Sequence, residues 1–449
     1  MEKKFSVSVS KKIKRFEKTI TVGSDKSISH RSLLIASQCI GPSSIENILE
    51  SEDVHNTIIC LKKLGVKIQK KNKNYLVYGN GLASFKKPTS NTLYTGNSGT
   101  LARMLIGIIG TQSNLKIKIT GDNSLNKRDM KRIIEPLSKI GCNFYPKNKT
   151  TLPLTIEGTS MPLAQRHIET IGSAQVKSAI LLAALNTHGI TEVEVKKISR
   201  DHTENLLSII NADIKIKRLK TGHLISLKGK KNLTCFKTKI PGDPSSSAPF
   251  VILTLLAKNS KLLIKNINCN HTRIGFINIL KKMNANIKLK NKKKKYGELV
   301  GDIMITSSSL RSVNCPTHLT PSAIDEFPLL FVAASVTKGT SKFSGISELR
   351  HKESDRIKSM EIGLNYIGIK TKSTKNTLTI FGKSNIKFEK VLKINPQGDH
   401  RIAMAFFCLG QILDLKIEIS NFETVNTSFS KFLSIMKKIG AKFEIKKKH

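Results

Sequence analysis

Tryptophan is absent from these 449 residues, and aromatic residues of every kind make up only 5% of the chain. With so few flat side chains among its basic clusters, the chain has little on which to stack nucleobases, which argues against a nucleic-acid partner. Acidic residues are scarce too: Asp and Glu number 32 against 76 Lys and Arg, for a formal net charge of +44. The excess is Lys scattered over faces and loop tips, as in Lys292 to Lys295, and not one continuous basic track. A general positive field of that kind favours small anionic substrates. No apolar run approaches the roughly 18 to 20 residues that cross a bilayer. Met1 to Arg15 is basic but has no apolar signal core, so the expectation is a soluble cytoplasmic chain without a membrane partner. The seven cysteines, at positions 39, 60, 142, 235, 269, 315 and 408, form no C-x-x-C pair and have no histidine at ligand spacing. Neither a zinc site nor a disulfide framework is indicated, and most of these thiols read as small buried hydrophobes.

What the chain does have is repetition. Six times an apolar residue, two arbitrary ones and another apolar residue lead into Gly or Asn and then into alternation that reads as a strand. The copies are Leu61 to Ile68 with Gly65, Leu137 to Phe144 with Gly141, Leu207 to Ile214 with Asn211, Leu280 to Ile287 with Asn284, Leu364 to Thr371 with Gly368, and Met436 to Phe443 with Gly440. Gly and Asn tolerate the left-handed conformation that closes a helix, so each copy predicts a helix end turning directly into a strand. A period of about 70 to 85 residues is long for a solenoid repeat and suits a unit of several strands and two helices. Each unit also holds an apolar, small-residue-rich helix whose first turn is polar: Lys26 to Ser37, Gly99 to Gly110, Ser173 to Leu185, Ser245 to Ala257, Ala323 to Val336 and Asp399 to Leu409. Helices apolar all round are buried, so one lies inside each unit with its polar residues gathered at one end. The length exceeds one hydrophobic core, and two domains of roughly 200 residues are expected.

Those polar ends carry the chemistry. Gly23 and Ser24 turn into a helix that opens with Lys26, Ser27 and Arg31, where unpaired N–H groups and basic side chains make an anion cradle. Gly96-Asn97-Ser98-Gly99-Thr100 opens the second buried helix, and the loop from Gly121 ends in Lys127 and Arg128. Ser173-Ala174-Gln175 opens the third, and Ser199-Arg200-Asp201-His202 follows a nearby strand. The second half adds acids: Asp325 and Glu326 in the first turn of a buried helix, where the dipole favours a carboxylate, then Lys352 one helical turn before Arg356 with Glu353 between them. Gly398-Asp399-His400-Arg401 repeats the polar start in the last unit. Read alone, Asp325 could equally be a helix cap, and the segment around Lys352 a solvated salt-bridged helix.

In order along the chain, D-K-S-I-S-H-R-S, G-N-S-G-T, S-A-Q-V-K-S, P-G-D-P-S-S, I-D-E-F-P, K-E-S-D-R and D-H-R-I-A-M resemble the 5-enolpyruvylshikimate-3-phosphate synthases over about Val22 to Phe432. The resemblance implies an α/β fold of two similar domains, each of three βαβαββ units around buried parallel helices, the enolpyruvyl transferase fold. It implies residues 1–22 and 242–449 in one domain, 23–241 in the other, an N-terminal strand joined to the C-terminal domain, and an active site in the cleft between them that closes on its ligands. The implied reaction moves the enolpyruvyl group of phosphoenolpyruvate to the 5-hydroxyl of shikimate 3-phosphate and releases phosphate, by addition and elimination, a step toward chorismate. It uses no metal and no organic cofactor, and a monomer is expected.

In the family's pattern Lys26, Ser27, Arg31, Ser173, Ala174, Gln175, Asp325 and Lys352 match shikimate 3-phosphate contacts. Lys26, Gly99, Arg128, Gln175, Arg356 and Arg401 match phosphoenolpyruvate contacts, with Gly99 where glyphosate binds in sensitive members. Two phosphates and two carboxylates do call for helix N-termini, guanidinium forks and ammonium groups. Asp325, Glu353 and Lys26 are the titratable groups for the proton transfers, with Asp325 the expected base toward the 5-hydroxyl and the donor open between Glu353 and Lys26. Where some members carry a Lys before the final helix, this chain has Asn426. Arg200 fits the branch with R-D-H in its place, and the resemblance implies it as a compensating cation for the shikimate phosphate. The sister enzyme acting on UDP-N-acetylglucosamine shares the fold but usually has a reactive cysteine in the loop matching Thr120 to Lys131, where this chain has none. A basic nucleic-acid-binding protein on the same scaffold is the other alternative.

Overall fold

The structure, a computed structural model describing residues 4–386 and 388–447, divides into two compact units. One consists of Ser24–Ile240 with Lys294–Glu298; the other holds the described residues up to Gly23, Pro241–Lys293 and those from Leu299 onward. Lys294–Glu298 departs from an unbroken second-half domain beginning at residue 242. The reason is local: in the first unit the Glu298 carboxylate is buried against His202 Nδ1 at 2.7 Å and accepts from Asn205 Nδ2 at 3.2 Å.

The unit built on Ser24–Ile240 contains helices α1 (Lys26–Ala36), α2 (Glu52–Lys63), α3 (Gly99–Ile109), α4 (Lys131–Ile140), α5 (Ala174–Ala184) and α6 (His202–Ile209). The odd-numbered ones are the apolar helices, and they are almost wholly buried. Helices α3 and α5 touch closely because Gly107 has no side chain: a Cβ there would lie 2.3 Å from the Ala179 carbonyl oxygen. The sheets follow one plan. Thr92–Tyr94 runs parallel to Lys116–Thr120, which pairs antiparallel with Leu154–Glu157, itself in a hairpin with Asn143–Tyr145. Arg166–Glu169, Ile190–Val195, His223–Lys228 and Asp213–Arg218 repeat it. In the remaining sheet the parallel neighbour of Cys39–Glu46 comes from the unit's far end, Leu233–Thr234 and Lys237–Lys239, so the unit closes on itself.

The other unit contains α7 (Pro244–Leu256), α8 (Gly275–Lys282), α9 (Phe327–Ser335), α10 (Arg356–Tyr366), α11 (His400–Leu413) and the short α12 (Asn426–Phe429) and α13 (Phe432–Lys438). Its N-terminal strands close it: Glu17–Ile20 lies parallel to the first residues of Lys261–Asn268, and Phe5–Val9 lies antiparallel between Ile417–Ile419 and Glu444–Lys447. Phenylalanine fills its core, with Phe327, Phe331 and Phe343 in mutual ring contact at 5.1 to 5.9 Å.

All six residues expected to close helices in the left-handed conformation have positive φ: Gly65 88°, Gly141 109°, Asn211 62°, Asn284 69°, Gly368 80° and Gly440 98°. A strand follows each within a few residues. At the other end of the buried helices, Asp25, Ser98, Ser173, Asp243 and Asp399 each accept a hydrogen bond from a first-turn N–H, the usual N-cap arrangement. Helix α9 is the exception. It begins at Phe327, after a 3-10 turn at Pro321–Ala323, so Asp325 and Glu326 precede the helix instead of forming its first turn. Six cysteines are buried and Cys235 is exposed; burial pushes the Cys39, Cys60 and Cys142 thiols up to about 12. Among the described residues no helix is long and apolar enough to cross a membrane.

Candidate active site

In the unit built on Ser24–Ile240, the starts of α1, α3 and α5 carry the predicted groups. Lys26 opens α1 and pairs with Asp53 of α2. One turn on, Arg31 is 1% exposed: Nε donates to Thr203 Oγ1 at 2.9 Å, Nη1 to Ser27 Oγ at 3.0 Å and Ser27 O at 3.1 Å, and Nη2 to Ser178 Oγ at 2.9 Å. His30 between them is fully enclosed, 2.7 Å from Thr57 Oγ1 and 3.4 Å from Ser98 Oγ. Burial first, then the charges of Lys26 and Arg31, hold its imidazole well below the usual histidine range, so it is neutral. Ser173 caps α5.

The G-N-S-G-T segment ties the basic loop to α3. Asn97 Oδ1 accepts from Arg128 Nη2 at 2.5 Å, while its Nδ2 donates to Asp122 Oδ2 at 2.6 Å. Gly99 faces both guanidinium groups; a Cβ built on it would lie 2.6 Å from Arg103 Nη1 and 3.4 Å from Arg128 Nη1. Arg103 Nη1 donates to Gln175 Oε1 at 2.7 Å, and Gln175 Nε2 donates to Thr100 Oγ1 at 3.0 Å. Arg200 is half-buried in the segment leading into α6.

In the other unit, the predicted acids and bases meet around Arg356. Its Nε lies 2.8 Å from Asp399 Oδ2, Nη2 lies 2.6 Å from Glu353 Oε2 and Nη1 lies 3.3 Å from Asp325 Oδ1. Burial would lower this guanidinium's pKa, but Asp399, Glu353 and Asp325 outweigh it and hold the group charged beyond its ordinary range. Lys352 Nζ is 3.8 Å from Asp325 Oδ1. Lys352 does not stand one helical turn before Arg356: Asp355 caps α10, accepting from Lys358 N at 3.0 Å, so the helix starts only at Arg356. Nor does α9 have a side-chain cap at its N-cap residue, Glu326. The Asp325 carboxylate is aimed instead at Arg356 and Lys352.

Glu326 is buried and accepts from Ser245 Oγ. Burial, then Asp325, push its carboxyl above the usual glutamate range, while Arg401, Arg273 and the Ser245 bond pull the other way. Arg401 Nη1 donates to Ser245 O at 3.3 Å, and its buried Nε has no hydrogen-bond partner among the described residues. The predicted residues thus form two sets, one in each unit: Lys26, Ser27, Arg31, Gly99, Arg128, Ser173, Ala174, Gln175 and Arg200 in the first, and Asp325, Lys352, Glu353, Arg356 and Arg401 in the second.

The model of the family described as EPSP synthase (3-phosphoshikimate 1-carboxyvinyltransferase) matches residues 10–436. This chain belongs to that family. The 3-phosphoshikimate 1-carboxyvinyltransferase of Petrotoga mobilis is 42% identical over 94% of this chain and 96% of its own, and that of Bartonella tribocorum 40% identical over 94% and 96%. The EPSP synthase of Acinetobacter baumannii superposes with a TM-score of 0.85 at 36% identity, covering 99% of this chain and all of its own. The enolpyruvyl transferase NikO of Streptomyces tendae, at 12% identity and a TM-score of 0.78 over the full length of both chains, shares the fold.

Against the EPSP synthase motifs, sequence reasoning missed Arg103, Asp53 and Asp399 as partners of the named residues. Each has a local place in the sequence, but nothing there points to its partner. Arg103 follows Gly99 by one helical turn, Asp53 stands in the first turn of α2, and Asp399 sits inside the D-H-R motif as a cap.

Proposed function

We infer that this chain transfers the enolpyruvyl group of phosphoenolpyruvate to the 5-hydroxyl of shikimate 3-phosphate, its family's reaction, as a cytoplasmic monomer whose partners are its two small substrates. The family match over residues 10–436 carries the reading. Supporting it, capped helix starts in the Ser24–Ile240 unit present Lys26, Arg31 and Gln175, and the loop before α4 presents Arg128, the donor chemistry that phosphate and carboxylate groups need. The arrangement around Arg356 supplies the groups for proton transfer.

In the addition step the 5-hydroxyl oxygen bonds to C2 of phosphoenolpyruvate, its proton passes to a base, and the C3 methylene takes a proton to become methyl. Elimination removes a proton from that methyl and expels phosphate. Asp325 is the base: its carboxylate is 18% exposed and is held by Arg356 and Lys352. Glu353 and Lys26 remain the two candidates for the group that protonates C3. Arg401, with an unsatisfied buried Nε, is the better-placed direct donor to phosphoenolpyruvate, while Arg356 keeps three carboxylates in register. Arg31 and Arg200 serve the shikimate phosphate. Purified enzyme with both substrates should release inorganic phosphate; release with phosphoenolpyruvate alone, or only with UDP-N-acetylglucosamine as acceptor, overturns this assignment.

A further inference from the structure

Gln175 belongs to the expected contacts of both substrates, and its amide is held from two sides. Its oxygen takes a hydrogen bond from Arg103 Nη1 at 2.7 Å, and its nitrogen gives one to Thr100 Oγ1 at 3.0 Å. A primary amide can be turned end for end, exchanging acceptor for donors. Here the turned form would set two N–H donors against a guanidinium, so Arg103 permits one orientation. With its oxygen committed to Arg103 and one N–H to Thr100, the amide has a second N–H to offer. That is the polarity an anionic substrate requires.

Arg103 is itself braced. It stands one turn after Gly99 on α3, its Nη1 lies 3.5 Å from the Gly99 carbonyl oxygen, and its Nη2 donates to the Asp129 carbonyl at 3.3 Å. These contacts join the start of α3, the start of α5 and the end of the basic loop through one guanidinium.

We propose that Arg103 is a positioning residue which fixes the Gln175 amide as a hydrogen-bond donor toward the anionic substrates. The proposal rests on the reading that Gln175 contacts substrate. Replacing Arg103 with Met removes the guanidinium and frees the amide to turn, so KM for both substrates should rise about tenfold with a smaller change in kcat, the scale of one charge-assisted hydrogen bond. Arg103→Lys keeps a cationic donor and should recover most of the loss.

The decisive measurement is a double-mutant cycle with Gln175→Ala. If Arg103 acts through Gln175, Arg103→Met adds almost nothing to KM in the Gln175→Ala background. Additive losses overturn the proposal, since Arg103 would then act on substrate or fold by another route. If Gln175→Ala alone leaves both KM values unchanged, the substrate-contact reading fails and the proposal falls with it. Thermal melting of each variant separates these outcomes from misfolding, because Arg103→Lys should melt with the parent.

Discussion

Arg31 and Arg356 are the same residue type, each 1% exposed and each near the start of a helix, yet their surroundings differ in kind. The described bonds of Arg31 go to the hydroxyls of Ser27, Ser178 and Thr203 and to one backbone carbonyl. Arg356 faces the carboxylates of Asp325, Glu353 and Asp399. The three carboxylates at Arg356 more than balance its charge, whereas the hydroxyl and carbonyl contacts described for Arg31 orient its N–H groups. Arg356 therefore holds acids together in a fixed array, while hydroxyls on α1, α5 and α6 fix the direction of the Arg31 guanidinium. Burying a cation demands partners in both cases, and the kind of partner decides how much is lost when the cation is removed.

The largest expected effect tests that contrast directly. Arg356→Met should cost about 3 to 5 kcal/mol of stability, because it leaves carboxylates buried or half-buried against one another. Arg31→Met should cost about 1 to 3 kcal/mol, since Ser178 and Thr203 already hydrogen-bond each other at 2.7 Å and can close over the gap. Denaturant melts of both variants check it. Equal losses would break the comparison.

A second substitution asks whether the acid array is reactive or only structural. Asp325→Asn keeps the side chain's size and its hydrogen bond from Arg356 but cannot accept a proton, so turnover should fall roughly 10²-fold or more with melting little changed. The cap alternative predicts the opposite outcome, because Asn caps almost as well as Asp and turnover would survive. Near-normal turnover would remove Asp325 from the mechanism.

Gly99→Ala should act more mildly. The added methyl would meet Arg103 Nη1 at 2.6 Å and so push on the guanidinium that holds Gln175, with Arg128 Nη1 next at 3.4 Å. A several-fold rise in KM for phosphoenolpyruvate, about 1 kcal/mol, and a higher inhibitory concentration of glyphosate are expected. Kinetics that leave KM unmoved would place the anion contacts of this unit away from Gly99.

What could be read from the sequence was periodic or capped. The six helix-closing Gly and Asn positions were visible because a left-handed residue leaves few choices of side chain, and the buried helices because apolarity on every face has one explanation. The starts of those helices were legible where Asp or Ser caps them and misjudged at α9, where Pro321 begins a 3-10 turn and Glu326 gives its side chain to Ser245. Lys352 was misjudged for a related reason: Asp355 starts a new helix, which spacing along the chain does not reveal. Partners distant in sequence, such as Arg103 with Gln175 or Arg356 with Asp399, depend on packing between helices that no local pattern encodes. Lys294–Glu298 joined the other unit through His202, a pairing 96 residues long in sequence.

The smallest effect concerns His30, which sits beside Arg31. Its imidazole is held well below the usual range by burial, then by Lys26 and Arg31, so it stays neutral in the folded protein while the unfolded chain takes up a proton near pH 6.5. A depressed base of this kind contributes stability that is present above about pH 6.5 and is lost as the pH falls below it, at no more than about 1.4 kcal/mol per pH unit. The difference in unfolding free energy between the parent protein and His30→Gln, which has no titrating ring, should therefore shift against the parent between about pH 6.5 and 5. In the Arg31→Met background that shift should shrink, because one of the three causes is gone. A His30 ring that titrates near 6.5 by NMR would mean that the ring is neither enclosed nor under the influence of these two cations, and would overturn this prediction.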